Sequence, residues 1–391
     1  MTTTASRARN AAAIIGVGET AYYRHGASPV SEFVLACEAI RRAALDAGID
    51  VSEIDGFASY ADDRNHPSRL SAALGCREVR FANMVWGGGG GGVCAAISNA
   101  AAAVMAGYAE YVVVYRALAQ GQFRRYGRAA SDVTVSGLRA YNAPYGLLVP
   151  AHAVAMRTRR FMHEHHLSQD PLAAIALTAY RHAQRNPRAI MYGRPLDRAT
   201  YDQSRWIVEP FHLFDCCQEN DGAAAVIVTS AERARDGRSG PVRILASAQG
   251  TRPGYDLYDH WSPTYAEANH AGLARDLFAR AGVSPQDVDV AQVYENFTGA
   301  VVMSLVEHRL CAAEEVGEFC TEANLSWDTG RLPLNTSGGN LAECYMHGIE
   351  LVIEAARQVR GVSTCQVTDV ELALVAGGPV TSPSGSLLLS K

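Results

Sequence analysis

The sequence predicts an α/β fold made from one duplicated unit, and three observations lead to it. Short apolar runs alternate with segments of helical spacing, the pattern of strands layered against helices. The stretch "AGIDVSEIDGFASY" (47–60) aligns without gaps on "AGVSPQDVDVAQVY" (281–294), so that residue 47 falls on 281 and the offset of 234 holds throughout. Each copy is then followed by a glycine-rich turn, a helix and a buried strand: "WGGGGGGVCAAIS" and "YVVVYRA" in the first half, "NTSGGNLAECYMHGIELVIEAA" and "ELALVAGG" in the second.

Taken in order, "AAAIIGVGE" (11–19) suits a buried strand, and "SEFVLACEAIRRAALDAG" (31–48) a helix stopped by glycine. "AAISNAAAAVMAG" reads as helix and "AEYVVVYRA" as a fully buried strand, an alternation that implies parallel strands. Between 118 and 212 the repeat is interrupted by a region rich in Arg, His and Tyr, with helices in "AHAVAMRTRRFMHEHHLS" and "DPLAAIALTAYRHAQRNP". This reads as an insertion over the active-site face. "NDGAAAVIVTSAERA" returns to core strand followed by helix. The organisation is therefore a first half (1–117 and 213–240), an inserted loop domain (118–212) and a second half (241–391).

Composition excludes several function classes. With 391 residues, 48% hydrophobic, 19% charged and a net charge of −5, there is no electrostatic basis for binding nucleic acid or an anionic membrane. Nine cysteines, including the adjacent Cys216 and Cys217, show no zinc-site spacing, and their odd number suits a reducing compartment. The opening residues lack the apolar core of a signal peptide, and no apolar run approaches the ~18 residues of a membrane span, so a cytoplasmic location is expected. The only lysine is Lys391, the last residue.

Two motifs have bland competitors. "GVGETA" (16–21) fits a dinucleotide fingerprint, but no acidic residue closes a second strand at the required distance, which favours a structural role for its glycines. "HEHH" places His163 and His166 one turn apart, where a solvated helix end competes with a metal site. Neither glycine-rich turn is followed by Lys-Ser/Thr, which excludes a P-loop.

The repeat, the glycine turns, "NTSGGNLAECYMHG", "LSQDPLAAIALTAYRHAQRN" and "ENDGAAAVIVTSAERA" together resemble the thiolase superfamily over nearly the whole chain, especially its lipid-transfer-protein branch. The resemblance implies a duplicated, five-layered αβαβα fold with an inserted loop domain. It also marks what is missing. The nucleophilic Cys position falls near Gly89 or Gly90, with Cys94 about a turn further on; "YENF" puts Tyr294 where the family has Asn or His. "CYMHG" puts Tyr345 at the catalytic His position, and "VAGG" puts Val375 at the second catalytic Cys. Asn335, Gly338 and Gly339 are retained. These, with Gly89, Gly90, His347 and Gly377, are the oxyanion- and substrate-binding candidates that the resemblance implies.

Without the cysteines, Claisen chemistry is lost and proton transfer by Tyr294 and Tyr345 is what remains, a set suited to retro-aldol cleavage of a β-hydroxyacyl-CoA. A Schiff-base aldolase needs a lysine amine, which Lys391 at the terminus supplies poorly; no His and carboxylate cluster recommends a metal aldolase. The resemblance narrows to the actinobacterial steroid side-chain-cleaving aldolases. It implies a 17-hydroxy-3-oxopregnene carboxyl-CoA substrate cleaved to androstenedione and propionyl-CoA, no cofactor beyond the substrate's own CoA, a homodimer, and a DUF35 partner with OB-fold and zinc-ribbon parts. A non-catalytic lipid or acyl-CoA carrier, and an acyltransferase using Cys94, are the alternatives. The run Gly87–Gly92 would either open space for a bulky acyl group beside backbone N–H donors or permit close packing.

Overall fold

The computed structural model describes residues 11–87, 89–123, 135–235 and 240–391. Its strands are β1 (Ala12–Glu19), β2 (Tyr23–Arg24), β3 (Gly56–Tyr60), β4 (Phe81–Val85), β5 (Val112–Ala119), β6 (Trp206–Val208), β7 (Phe211–His212), β8 (Asn220–Ser230), β9 (Val242–Gly250), β10 (Val290–Val293), β11 (Leu372–Gly377) and β12 (Ser384–Ser390). The principal helices are α1 (Glu32–Ala47), α2 (Pro67–Leu74), α3 (Gly92–Met105), α4 (Pro150–Glu164), α5 (Asp170–Ala183), α6 (Ala271–Ala281), α7 (Thr298–Glu307) and α8 (Ile349–Arg360).

The repeat is visible down to its caps. In the first half α1 ends at Gly48 with φ +73°, and Asp50 and Glu53 form a capping box around a single 3₁₀ turn before β3. In the second, α6 ends at Gly282 with φ +67°, and Ser284 and Asp287 build the same box before β10. The sheets repeat as well. The order β3-β5-β8-β1 is matched by β10-β11-β12-β9, with β4 added outside β3, and the two halves join edge to edge where Ala13 and Ile14 of β1 pair with Arg243 and Val242 of β9.

The expectation of parallel strands holds only in part. β3 runs parallel to β4 and β5, and β10 to β11. β8 is antiparallel to both β5 and β1, and β12 to both β11 and β9. For β11 and β12 the reason is local: one turns into the other within a few residues, and a parallel neighbour would need a crossover of a dozen or more.

Burial gives the layers. α3 and α8 share a core with residues from both halves of the sheet, among them Val114, Val226, Val290 and Leu387. α1 covers the outer face of the first half, and α6 and α7 that of the second. The glycines of "GVGETA" serve this packing: Cβ atoms on Gly16 and Gly18 would lie 2.2 Å from the Ala43 and Ala39 carbonyl oxygens of α1. His163 and His166 are exposed at the end of α4. Among the described residues no helix is long and apolar enough to cross a membrane.

Candidate active site

Parallel strands present their C-terminal ends on one edge of the sheet, and the candidate residues gather there. Tyr294 follows β10 directly, its N–H still donating to the Ala376 carbonyl of β11 at 2.9 Å. Tyr345 comes from the loop before α8, where its N–H donates to Asn220 Oδ1 at 2.6 Å. The two phenol oxygens are hydrogen bonded at 2.8 Å. Tyr294 is buried, whereas Tyr345 is half-buried. Burial, and then the neighbouring Tyr345, hold the Tyr294 phenol well above its ordinary value, so a standing phenolate is disfavoured.

The turn before α3 supplies the floor. A Cβ on Gly90 would lie 2.1 Å from Cε2 of Tyr294 and 2.3 Å from its Cζ. The ring therefore occupies the volume in which a side chain at the nucleophile position would stand. Close packing explains Gly90; the space freed there is filled by Tyr294 and does not remain open for an acyl group. Gly89 differs, with φ +47° and no atom within 4 Å of an added Cβ. Gly377 packs against Val93 and Cys94 from the other side.

His347 completes the cluster. Its ring meets that of Tyr345 edge to face, with centroids 5.0 Å apart. Its Nδ1 accepts from Nε of Arg116 at 3.1 Å, and Arg116 is paired with Asp63 at 3.1 Å. Burial, then Arg116 and Arg64, hold the imidazole well below its ordinary value, so it is neutral.

The remaining candidates lie behind this cluster. Asn335 directs its amide to the end of β10, accepting from Val293 N–H at 2.7 Å and donating to the Val293 carbonyl at 2.8 Å. It fixes the strand end from which Tyr294 projects. Gly338 packs on Ala183 of α5, and a Cβ on Gly339 would lie 1.8 Å from Oε1 of Glu295. Residues 186–191 clamp this turn: Asn186 Nδ2 donates to Glu343 at 2.7 Å, and Ile190 and Met191 N–H donate to the Glu343 and Ala342 carbonyls. Among the described residues, no group of three or more His, Cys, Asp or Glu is arranged to hold a metal ion.

A family model described as thiolase C-terminal domain-like matches residues 256–391. The chain is 39% identical over 390 residues to the steroid side-chain-cleaving aldolase of Thermomonospora curvata, covering 97% of each protein. It belongs to the steroid side-chain-cleaving aldolases. The relationship to this aldolase family extends to the 17-hydroxy-3-oxo-4-pregnene-20-carboxyl-CoA lyase of Mycobacterium tuberculosis, 38% identical over 96% of this chain and 98% of that one. A solved structure entitled Ltp2-ChsH2(DUF35) aldolase superposes with a TM-score of 0.90 at 37% identity, covering 98% of both chains. Human mitochondrial 3-ketoacyl-CoA thiolase, at 14% identity and a TM-score of 0.68, shares the fold.

Membership of this aldolase family agrees with the fate of the cysteines. Cys94 is fully buried in α3, its Sγ 3.8 Å from the Val375 carbonyl, and burial pushes its thiol up to about 12. Such a thiol is a core residue, not a displaced nucleophile. Motif matching missed Arg116, Asp63, Tyr60 and Glu295. For Arg116 a signal was present, since an arginine inside the apolar run "VVVYRALA" has to be paired. Glu295 had none beyond its place in "YENF": it is fully buried, and desolvation, offset only in part by its own N–H, those of Asn340 and Leu341 and the Asn335 amide, pushes its carboxyl up to about 8.

Proposed function

We propose that this chain cleaves the side chain of a steroid β-hydroxyacyl-CoA of the 17-hydroxy-3-oxo-4-pregnene-20-carboxyl-CoA type by a retro-aldol reaction, giving androstenedione and propionyl-CoA. The observation that carries the reading is the Tyr294–Tyr345 hydroxyl pair, 2.8 Å apart, over a glycine where a nucleophile would stand. In one concerted relay the substrate hydroxyl gives its proton to Tyr345, the proton of Tyr345 moves to Tyr294 along the hydrogen bond, turned from its resting direction with Tyr294 as donor, and Tyr294 gives its own proton to the α-carbon. The hydroxyl oxygen becomes a ketone as the C–C bond breaks, and its electron pair passes through the developing thioester enolate into the new C–H bond. The pair is neutral before and after, so neither phenol has to persist as the phenolate that burial disfavours. The thioester serves as the electron sink, and no cofactor or metal is required by this route.

The fuller assembly is part of the same proposal. A DUF35 protein as partner is supported by the likeness to the Ltp2-ChsH2(DUF35) aldolase. A homodimer is supported by the outer strand β4, which ends the sheet with Ala82, Asn83 and Met84 exposed and with Trp86 88% exposed beside it. Residues 118–212 act as the inserted loop domain and the enzyme works in the cytoplasm. The test is to purify the chain with a DUF35 partner and follow this acyl-CoA by chromatography. Release of ketone and propionyl-CoA is expected. Binding without cleavage would favour the carrier reading, and cleavage surviving Tyr294→Phe together with Tyr345→Phe would overturn the mechanism.

A further inference from the structure

Arg116 stands in the middle of β5, fully buried, and makes a contact that restricts what His347 can be. A guanidinium carries only donors, so the 3.1 Å contact from its Nε requires a lone pair on His347 Nδ1. The ring proton is then on Nε2. A second proton would put two cations in contact away from water, which the burial of both residues forbids.

The described neighbours of the ring support this state. Arg116 Nη1 meets Asp63 Oδ2 at 3.1 Å, and Asp63 is held in turn by the N–H and Nδ2 of Asn65 at 2.7 and 3.0 Å. Arg64, the second nearby cation, is paired with Glu32. The hydroxyl of Tyr60 donates to the His347 carbonyl at 3.1 Å, while His347 keeps φ +54°, a backbone conformation that persists only when its surroundings fix it. The Tyr345 ring closes the other side.

We propose that Asp63 and Arg116 are positioning residues that lock His347 as a neutral Nε2–H donor, and that this N–H serves the thioester oxygen on which the enolate charge develops. The second clause rests on the aldolase reading; the first does not. His347 is thereby removed as a base, and the proton traffic falls to the tyrosine pair. The C–C electron pair moves to the α-carbon and thioester carbonyl, and the oxygen that gains charge meets an N–H already in place.

The test has two readouts. In protein labelled with ¹⁵N-histidine, long-range ¹H–¹⁵N correlations, assigned by their loss in His347→Gln, should show His347 with Nδ1 unprotonated and no titration between pH 5 and 8. Wild-type protein with Nδ1–H, or with ordinary titration, would overturn the proposal without any variant. Arg116→Lys, which keeps a cationic donor, should retain the tautomer. The pair Asp63→Asn, Arg116→Met should release it and lower kcat by about 10²-fold with KM little changed. Unchanged kcat in a double variant whose tautomer has been released would sink the donor role and leave the tautomer lock standing. A wild-type protein that shows the tautomer but cleaves no acyl-CoA would instead count against the aldolase reading.

Discussion

Tyr60 and Tyr294 occupy the same place in the two halves, each following the same capping box and ending the equivalent strand at the offset of 234. Both are fully buried. Their hydroxyls nevertheless do different work. That of Tyr60 donates to backbone carbonyls, those of His347 at 3.1 Å and Met346 at 3.4 Å, and so pins the loop that carries Tyr345. That of Tyr294 meets another hydroxyl. The residues that follow diverge as well, Ala61 in the first half and the buried Glu295 in the second. Duplication thus supplied two equivalent buried phenols, and the loop from Cys344 to Gly348 made one an anchor and the other half of a hydrogen-bonded tyrosine pair.

The largest expected effect separates the two phenols. Tyr294→Phe and Tyr345→Phe should each lower kcat by roughly 10² to 10⁴ with little change in thermal stability. The double variant should lose less than the product of the two, since both groups serve one proton-transfer sequence. Steady-state kinetics beside thermal melts would show this, and wild-type rates in both single variants would dissolve the distinction from Tyr60.

Gly90→Ala asks whether the Tyr294 ring needs its bare floor. With a Cβ only 2.1 Å from the ring, the ring has to move, at a cost of about 1–3 kcal/mol and with loss of the 2.8 Å contact. Gly89→Ala meets no atom and should cost only the roughly 1–2 kcal/mol of a left-handed non-glycine residue, with the tyrosine pair and kcat left intact. Equal losses of kcat for the two would refute the packing account.

Glu295 gives the second half a pH dependence that Ala61 cannot give the first. Its carboxyl is pushed up to about 8 by burial, so the folded chain holds a proton that the unfolded chain releases near ~4.3. The stability this contributes is complete below the unfolded value and is lost as pH rises through about 8. Calorimetry should find the melting temperature falling across this window, and Glu295→Gln should flatten the slope. An unaltered slope in that variant would place the titration elsewhere.

Two smaller effects close the series. Tyr60→Phe removes a buried hydrogen bond and should cost ~1 kcal/mol, with activity reduced only as far as the Tyr345 loop loosens. A kcat loss as large as that of Tyr294→Phe would make the two phenols equivalent after all. Cys94→Ala should leave turnover nearly intact, because its thiol is buried and held near 12; a loss beyond about 100-fold would restore a nucleophilic role.

What the sequence by itself determined is what short-range chemistry dictates. Gly48 and Gly282 stop helices because only glycine enters the left-handed region without strain, and the boxes that follow lie within four residues, so the repeat could be read without coordinates. The absence of a cysteine at the nucleophile position and the placement of Tyr294 and Tyr345 were equally legible, since motif position is a property of the chain. Strand direction was not, because alternation records which segments are buried and not which way their neighbours run. The 2.8 Å bond joins residues 51 apart, and Arg116 reaches His347 across 231. Gly90 is fixed by a ring from the opposite half. Such contacts exist only once both halves have packed around α3 and α8, because directional hydrogen bonds and steric exclusion act over a few ångströms in space, whatever the separation along the chain.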